Sequence, residues 1–179
     1  MKGFAMLKIG ATGWIEKELP VCGPMDAICK PIALAPCTSD IHTVWSGAIG
    51  DRHNMILGHE AVGEVVEVGE GVRGFRPGDL VSGEGHITCG QCRNCLEGHK
   101  ENCRDAKGVG VNRNGAFAEY LVIPAANVWP CHPNIHEELY AIFDPFGNAT
   151  HAALSYDMLG EDVLITGAGP IGIMAAAVA

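Results

Sequence analysis

The chain has 179 residues, 47% hydrophobic, 18% charged and 6% aromatic, a balance that fits a globular protein and excludes a disordered or fibrous one. Its formal net charge of -9 is dispersed rather than gathered into a tail and repels phosphate backbones, which argues against nucleic acid as a partner. The opening residues lack the apolar core of a signal peptide and no apolar run is long enough to span a bilayer, so a reducing cytoplasm and no membrane partner are expected.

In chain order, residues 4–9 and 14–19 read as short strands around a turn at 10–13, and 20–24 forms another turn. Residues 27–35 are strand-like and run into Cys37. Thr38, Ser39 or Asp40 then caps a short helix that stops near Gly47. A strand is expected over 62–68, a turn at 76–79 leading into Leu80 and Val81, and a further strand over 117–123. From about Glu137 the pattern turns helical, with a break at Pro145 and a second helix over about 148–159 stopped by Gly160. Residues 163–166 then have the short apolar character of a buried parallel strand, followed by a glycine loop and an Ala-rich helix. This places a β-rich domain over 1–150 and the start of an α/β domain over 151–179.

Four of the eight cysteines fall within 89–103, as Cys89-x2-Cys92-x2-Cys95-x7-Cys103. In a reducing compartment such crowding reads as metal ligation, and four thiolates form the closed tetrahedral set of a structural zinc. An iron–sulfur cluster is the main rival, but the run it needs would place a cysteine where His99 stands. The lobe is expected over 86–104.

Cys37, and Gly58-His59-Glu60 after the run 55–57, are weaker signals. Alone, Cys37 reads as a small buried hydrophobe and His59 as an ordinary histidine. The glycine loop adds weight: Gly167, Gly169 and Gly172 follow an apolar run and open a helix, with Pro170 and Ile171 between them. There, backbone amides and the helix N-terminus can hold a dinucleotide's pyrophosphate.

Cys37-Thr-Ser-Asp-Ile-His42, Gly58-His-Glu-Ala-Val-Gly-Glu-Val65, the four-cysteine lobe and the loop 167–172 stand in the order found in zinc-dependent medium-chain alcohol dehydrogenases. The chain resembles that family over essentially its whole length. Residues 81–179 are similar to the L-threonine 3-dehydrogenase branch through Gly83-Glu-Gly-His-Ile-Thr-Cys89, Gly108-Val-Gly-Val-Asn112 and Phe143-Asp-Pro-Phe-Gly-Asn-Ala149. Residues 1–80 are similar to microbial secondary alcohol dehydrogenases through Asp40-Ile-His-Thr-Val44 and Asn54-Met-Ile-Leu-Gly-His-Glu-Ala61, which suggests a hybrid or truncated member.

The resemblance implies a GroES-like β-barrel catalytic domain with a structural zinc lobe, joined to the first β-α unit of a Rossmann domain. It implies a catalytic zinc on Cys37, His59, Glu60 and Asp144, with Asp144 otherwise a turn residue. It implies a proton relay through Ser39 and His42, otherwise an N-cap and a surface residue, and a pocket role for His86. The cofactor is NAD or NADP, bound at Gly167, Gly169, Pro170, Ile171 and Gly172. The substrate is a small secondary alcohol, the L-threonine hydroxyl ahead of a simple alkanol or polyol, and the oligomer a homotetramer. Because the chain carries only the first nucleotide-binding unit, the isolated 179 residues are expected to be inactive and to act at most as a zinc-binding fragment.

Overall fold

The computed structural model describes residues 1–48 and 50–179. The chain opens with a tight hairpin, β1 (Lys2–Lys8) and β2 (Ala11–Glu16), in which Phe4 pairs with Trp14 and their rings meet edge to face at 5.4 Å. The turn is shorter than the sequence pattern suggests, because Ala11, Thr12 and Gly13 already sit in β2 opposite Lys8, Met6 and Ala5.

The larger sheet runs in the order β10-β6-β5-β3-β9 and forms a half-barrel. Its strands are β3 (Asp26–Ala35), β5 (Glu60–Val68), β6 (Leu80–Gly83), β9 (Leu121–Pro124) and β10 (Val128–Pro130), while β4 (Met55–Ile56) joins β1. Ala27, Val65, Val81, Leu121, Ile123 and Val128 close the interior. Pro31 fits inside β3 because β9 pairs only with Asp26 to Cys29; from there on no described strand lies along that edge of β3, so no N–H is needed there.

Helix α1 (Thr38–Ser46) follows β3 and buries Asp40, Thr43 and Val44. Its N-cap is Cys37, one residue before the candidates named from sequence, and its C-cap is Gly47 at φ 64°. The small lobe leaves the barrel through β7 (His86–Ile87), turns through α2 (Arg93–Leu96) and returns through β8 (Lys107–Gly108).

Four expectations need correction. The strand foreseen over 117–123 is confined to β9, because Phe117 and Ala118 pair with Phe4 and Gly3 of the small sheet instead. Pro145 does not break a helix: after a 3-10 turn (Glu137–Ile142), α3 (Phe143–Leu154) runs through it, since a proline in the first turn forfeits no intrahelical bond. That helix ends at Leu154, five residues before the expected Leu159. The apolar run 163–166 is not a strand; among the described residues no strand lies beside it, and Leu164 is 87% exposed. Helix α4 (Pro170–Val178) follows, and no described helix is long and apolar enough to cross a membrane.

Candidate metal centres and active site

Strand register builds the first site. Ala35 at the end of β3 faces Glu60 at the start of β5, so Cys37, two residues on, arrives beside His59 and Glu60. Ligand atoms of Cys37, His59 and Glu60 all lie within 4.8 Å of one another. Gly58 shapes the approach: it takes φ 87°, and a Cβ there would run into the Phe117 ring, so only glycine delivers His59 to this place.

His59 is oriented from both sides. Its Nε2 lies 3.9 Å from Glu60 Oε1 and its Nδ1 lies 3.4 Å from Asp40 Oδ1. The buried Asp40 carboxylate is itself fixed, accepting from the Cys37 N–H at 3.0 Å and the Gly58 N–H at 3.2 Å. Beside this carboxylate the His59 imidazole is held up at about 9, against the opposing effect of burial. Burial first, and then the Asp144 charge, pushes the Glu60 carboxyl above its usual range, while Cys37 and His59 pull it back.

A thiol, an imidazole and a carboxylate converging in a half-buried site fit a zinc ion. The fit is strengthened because the imidazole's far nitrogen faces a carboxylate, as in most metal-binding histidines. Among the described residues that buried nitrogen has no hydrogen bond of good geometry, so the Asp40 carboxylate orients the ring through its charge at 3.4 Å. Asp40 is the residue that the sequence reading missed in this role. Its signal was its place in the first helical turn, three residues after Cys37.

Asp144 is not among the atoms that cluster within 4.8 Å. It sits in the first turn of α3, accepts from Asn148 Nδ2 at 3.1 Å, and faces a cleft of about 500 Å³ together with His86, Glu84, Trp129 and Phe143. The structure thus brings His86 and Asp144 to one cleft. Ser39 and His42 both lie on the exposed side of α1, with no hydrogen bond between them among the described residues.

The second site is the lobe. Sγ atoms of Cys89, Cys92, Cys95 and Cys103 lie within 4.8 Å of one another. The Cys89 N–H points to Cys103 Sγ and the Cys92 N–H to Cys89 Sγ, each at 3.3 Å. Backbone N–H groups at Cys95 and Arg104 lower the Cys92 thiol to about 6, and those at Cys89 and Asp105 hold Cys103 below its ordinary value. Cys95 moves the other way, to about 12, because desolvation and then its neighbouring sulfurs oppose another negative charge. A dication removes that opposition, so four thiolates oriented by amides fit a closed zinc site.

The glycine loop is partly formed. Gly167 takes φ 100°, Gly169 is the N-cap of α4 and Pro170 its first residue, with Ile171 and Gly172 in the first turn. A Cβ on Gly172 would strike the Gly167 carbonyl, so the loop folds tightly against the helix start.

The family model of the alcohol dehydrogenase GroES-like domain matches residues 23–133, which span β3 to β10 and contain both cysteine sites. The chain belongs to the alcohol dehydrogenase GroES-like family. This GroES-like chain is 56% identical over 184 aligned positions to L-threonine 3-dehydrogenase of Pseudoalteromonas atlantica, covering 100% of the chain and 54% of that protein. That likeness runs through residues 1–80 as well as 81–179. Among solved structures, an oxidoreductase/dehydrogenase of unknown specificity from Escherichia coli superposes with a TM-score of 0.92 at 33% identity, over 99% of this chain and 53% of that one. An Escherichia coli alcohol dehydrogenase complexed with NADH gives a TM-score of 0.90 at 29% identity, over 99% and 52%. The chain therefore spans about half the length of the relatives it matches.

Proposed function

We propose that residues 1–150 are the catalytic domain of a zinc-dependent, NAD(P)-linked dehydrogenase that oxidises the hydroxyl of L-threonine, and that residues 151–179 open its Rossmann domain. The observation that carries this is the convergence of Cys37, His59 and Glu60, with Asp144 close enough to perturb Glu60 from a cleft that it shares with His86. Zinc supplies Lewis acidity toward a hydroxyl, and the nicotinamide supplies the hydride acceptor.

The chain's own residues divide the remaining work. Cys37, His59 and Glu60 would hold the ion, Asp40 fixes the His59 ring, and Asp144 would add a further carboxylate from the neighbouring cleft. Trp129 and Phe143 give the cleft an apolar wall, while Glu84 and Asp144 give it negative charge. That charge suits an alcohol carrying an ammonium group and supports L-threonine over a simple alkanol, as does the 56% identical relative. Ser39 takes the hydroxyl proton and His42, on the same exposed face of α1, passes it to solvent. The first turn of α4 offers free amides to a pyrophosphate. The enzyme works in the cytoplasm as a homo-oligomer.

Residues 1–179 alone turn over negligibly, because among the described residues the run 163–166 pairs with no strand and no sheet stands behind the loop after it to hold a dinucleotide in place. Zinc analysis of the purified chain should give close to two ions, falling to one in Cys37→Ser. The dehydrogenase that contains these residues should reduce NAD or NADP faster with L-threonine than with 2-propanol. A zinc content that Cys37→Ser leaves unchanged overturns the catalytic set, a preference for 2-propanol overturns the substrate, and vigorous L-threonine oxidation by residues 1–179 overturns the inactivity.

A further inference from the structure

Residues 84–86 form a wall between two clefts. Glu84 and His86 line the cleft of about 500 Å³ that contains Asp144, and they also line a second cleft of about 470 Å³ against the zinc lobe, beside Lys100 and Glu101. The wall is short, and its strand β7 is only two residues long. Beyond the pairing of His86 with Gly108, a side chain also fixes it.

That fixture is Asn127, just before β10, which is only 8% exposed. Its carboxamide Nδ2 donates to the Glu84 carbonyl at 3.2 Å and to the His86 carbonyl at 3.0 Å. The Asn127 backbone carbonyl accepts from the Glu84 N–H at 2.8 Å, and between the two bonded carbonyls Gly85 O accepts from the Val109 N–H at 2.9 Å. Three consecutive carbonyls of the wall are thus held, two of them by one side chain whose two N–H donors are both used.

We infer that Asn127 is a positioning residue: its carboxamide clamps residues 84–86 so that His86 and Glu84 face the substrate cleft at a fixed depth. The inference rests on the alcohol dehydrogenase reading for what the cleft binds, though not for the clamp itself. Aspartate has the shape but offers acceptors to two carbonyls, and leucine fills the space but leaves both carbonyls without partners.

The test has three readouts. In the unmodified chain, the Asn127 carboxamide protons should exchange with solvent about tenfold more slowly than those of exposed Asn112, as followed by NMR; equal rates overturn the clamp. In Asn127→Ala, amide exchange over residues 84–88 should rise about tenfold while residues 60–68 change by less than about twofold and zinc content is unchanged. No rise at 84–88, or an equal rise throughout the sheet, overturns the positioning role. In the dehydrogenase containing these residues, Asn127→Ala should raise KM for the alcohol roughly tenfold with kcat within about threefold, whereas an unchanged KM overturns the link to the cleft. If the unmodified dehydrogenase oxidises no alcohol, the functional reading fails, and the two exchange measurements still decide the clamp.

Discussion

Asp40 Oδ1 stands 3.4 Å from His59 Nδ1, and the same carboxylate accepts from the backbone N–H groups of Cys37 and Gly58. One buried acid thus sets the ring of one candidate ligand and the backbone beside two of them. Asp40→Asn keeps the size and removes the charge. Zinc affinity at this site should fall by about 10–100-fold, while the four-cysteine lobe keeps its metal. Chelator competition in the variant and the parent measures both.

The His59 shift has a definite sign. Its metal-free pKa is about 9 against an ordinary 6.5, so the folded chain binds this proton more tightly than the unfolded chain does. The resulting stabilisation is fully present below about pH 6.5 and is lost as pH rises through about 9. Metal binding needs the neutral ring, so zinc displaces this proton below pH 9. The metal-free Tm should therefore fall between pH 7 and 9.5, and zinc uptake at pH 7 should release a proton visible by calorimetry in two buffers of different ionisation enthalpy. The thiols release protons as well, so His59→Gln should lower the number released by at least about one rather than abolish it.

Lobe metal is expected to stabilise the lobe rather than the barrel. Cys103 is 9% exposed, and its sulfur accepts the Cys89 N–H. Cys103→Ser should lower zinc content by one ion and open residues 88–104 to protease, with amide exchange in β3 and β5 little changed. Limited proteolysis followed by mass spectrometry locates the cut.

Gly58→Ala combines a left-handed backbone with a collision against Phe117. Its cost is about 3 kcal/mol, read as a drop in the urea midpoint at constant slope. The nearby Gly50 also has positive φ but open space, so Gly50→Ala should cost about 1 kcal/mol from the backbone alone.

Local signals made much of this molecule readable in advance. Hydrophobic runs marked β3 and β5, Gly47 marked the end of α1, and cysteine spacing alone located the lobe. What failed depended on context that is distant in sequence. Phe117 has the composition of a strand residue, but its hydrogen bond goes to Phe4 of another sheet. Pro145 looks like a helix breaker until the helix start is known to be Phe143, two residues earlier. The run 163–166 is apolar enough for a buried strand, but a strand is defined by its neighbour. Asp40 was legible as a cap, whereas its contact with His59 requires the β3–β5 register.

That register has a consequence for how the site comes into being. Cys37 and His59 belong to segments that meet only when Ala35 comes to lie opposite Glu60. A slip of one residue would turn Glu60 to the other face of the sheet and take the three ligands apart. Cobalt(II) added during refolding would then stay pale until β3 and β5 lock in step, and the growth of its thiolate charge-transfer band in a chain whose lobe cysteines are replaced would act as a stopwatch for that one event.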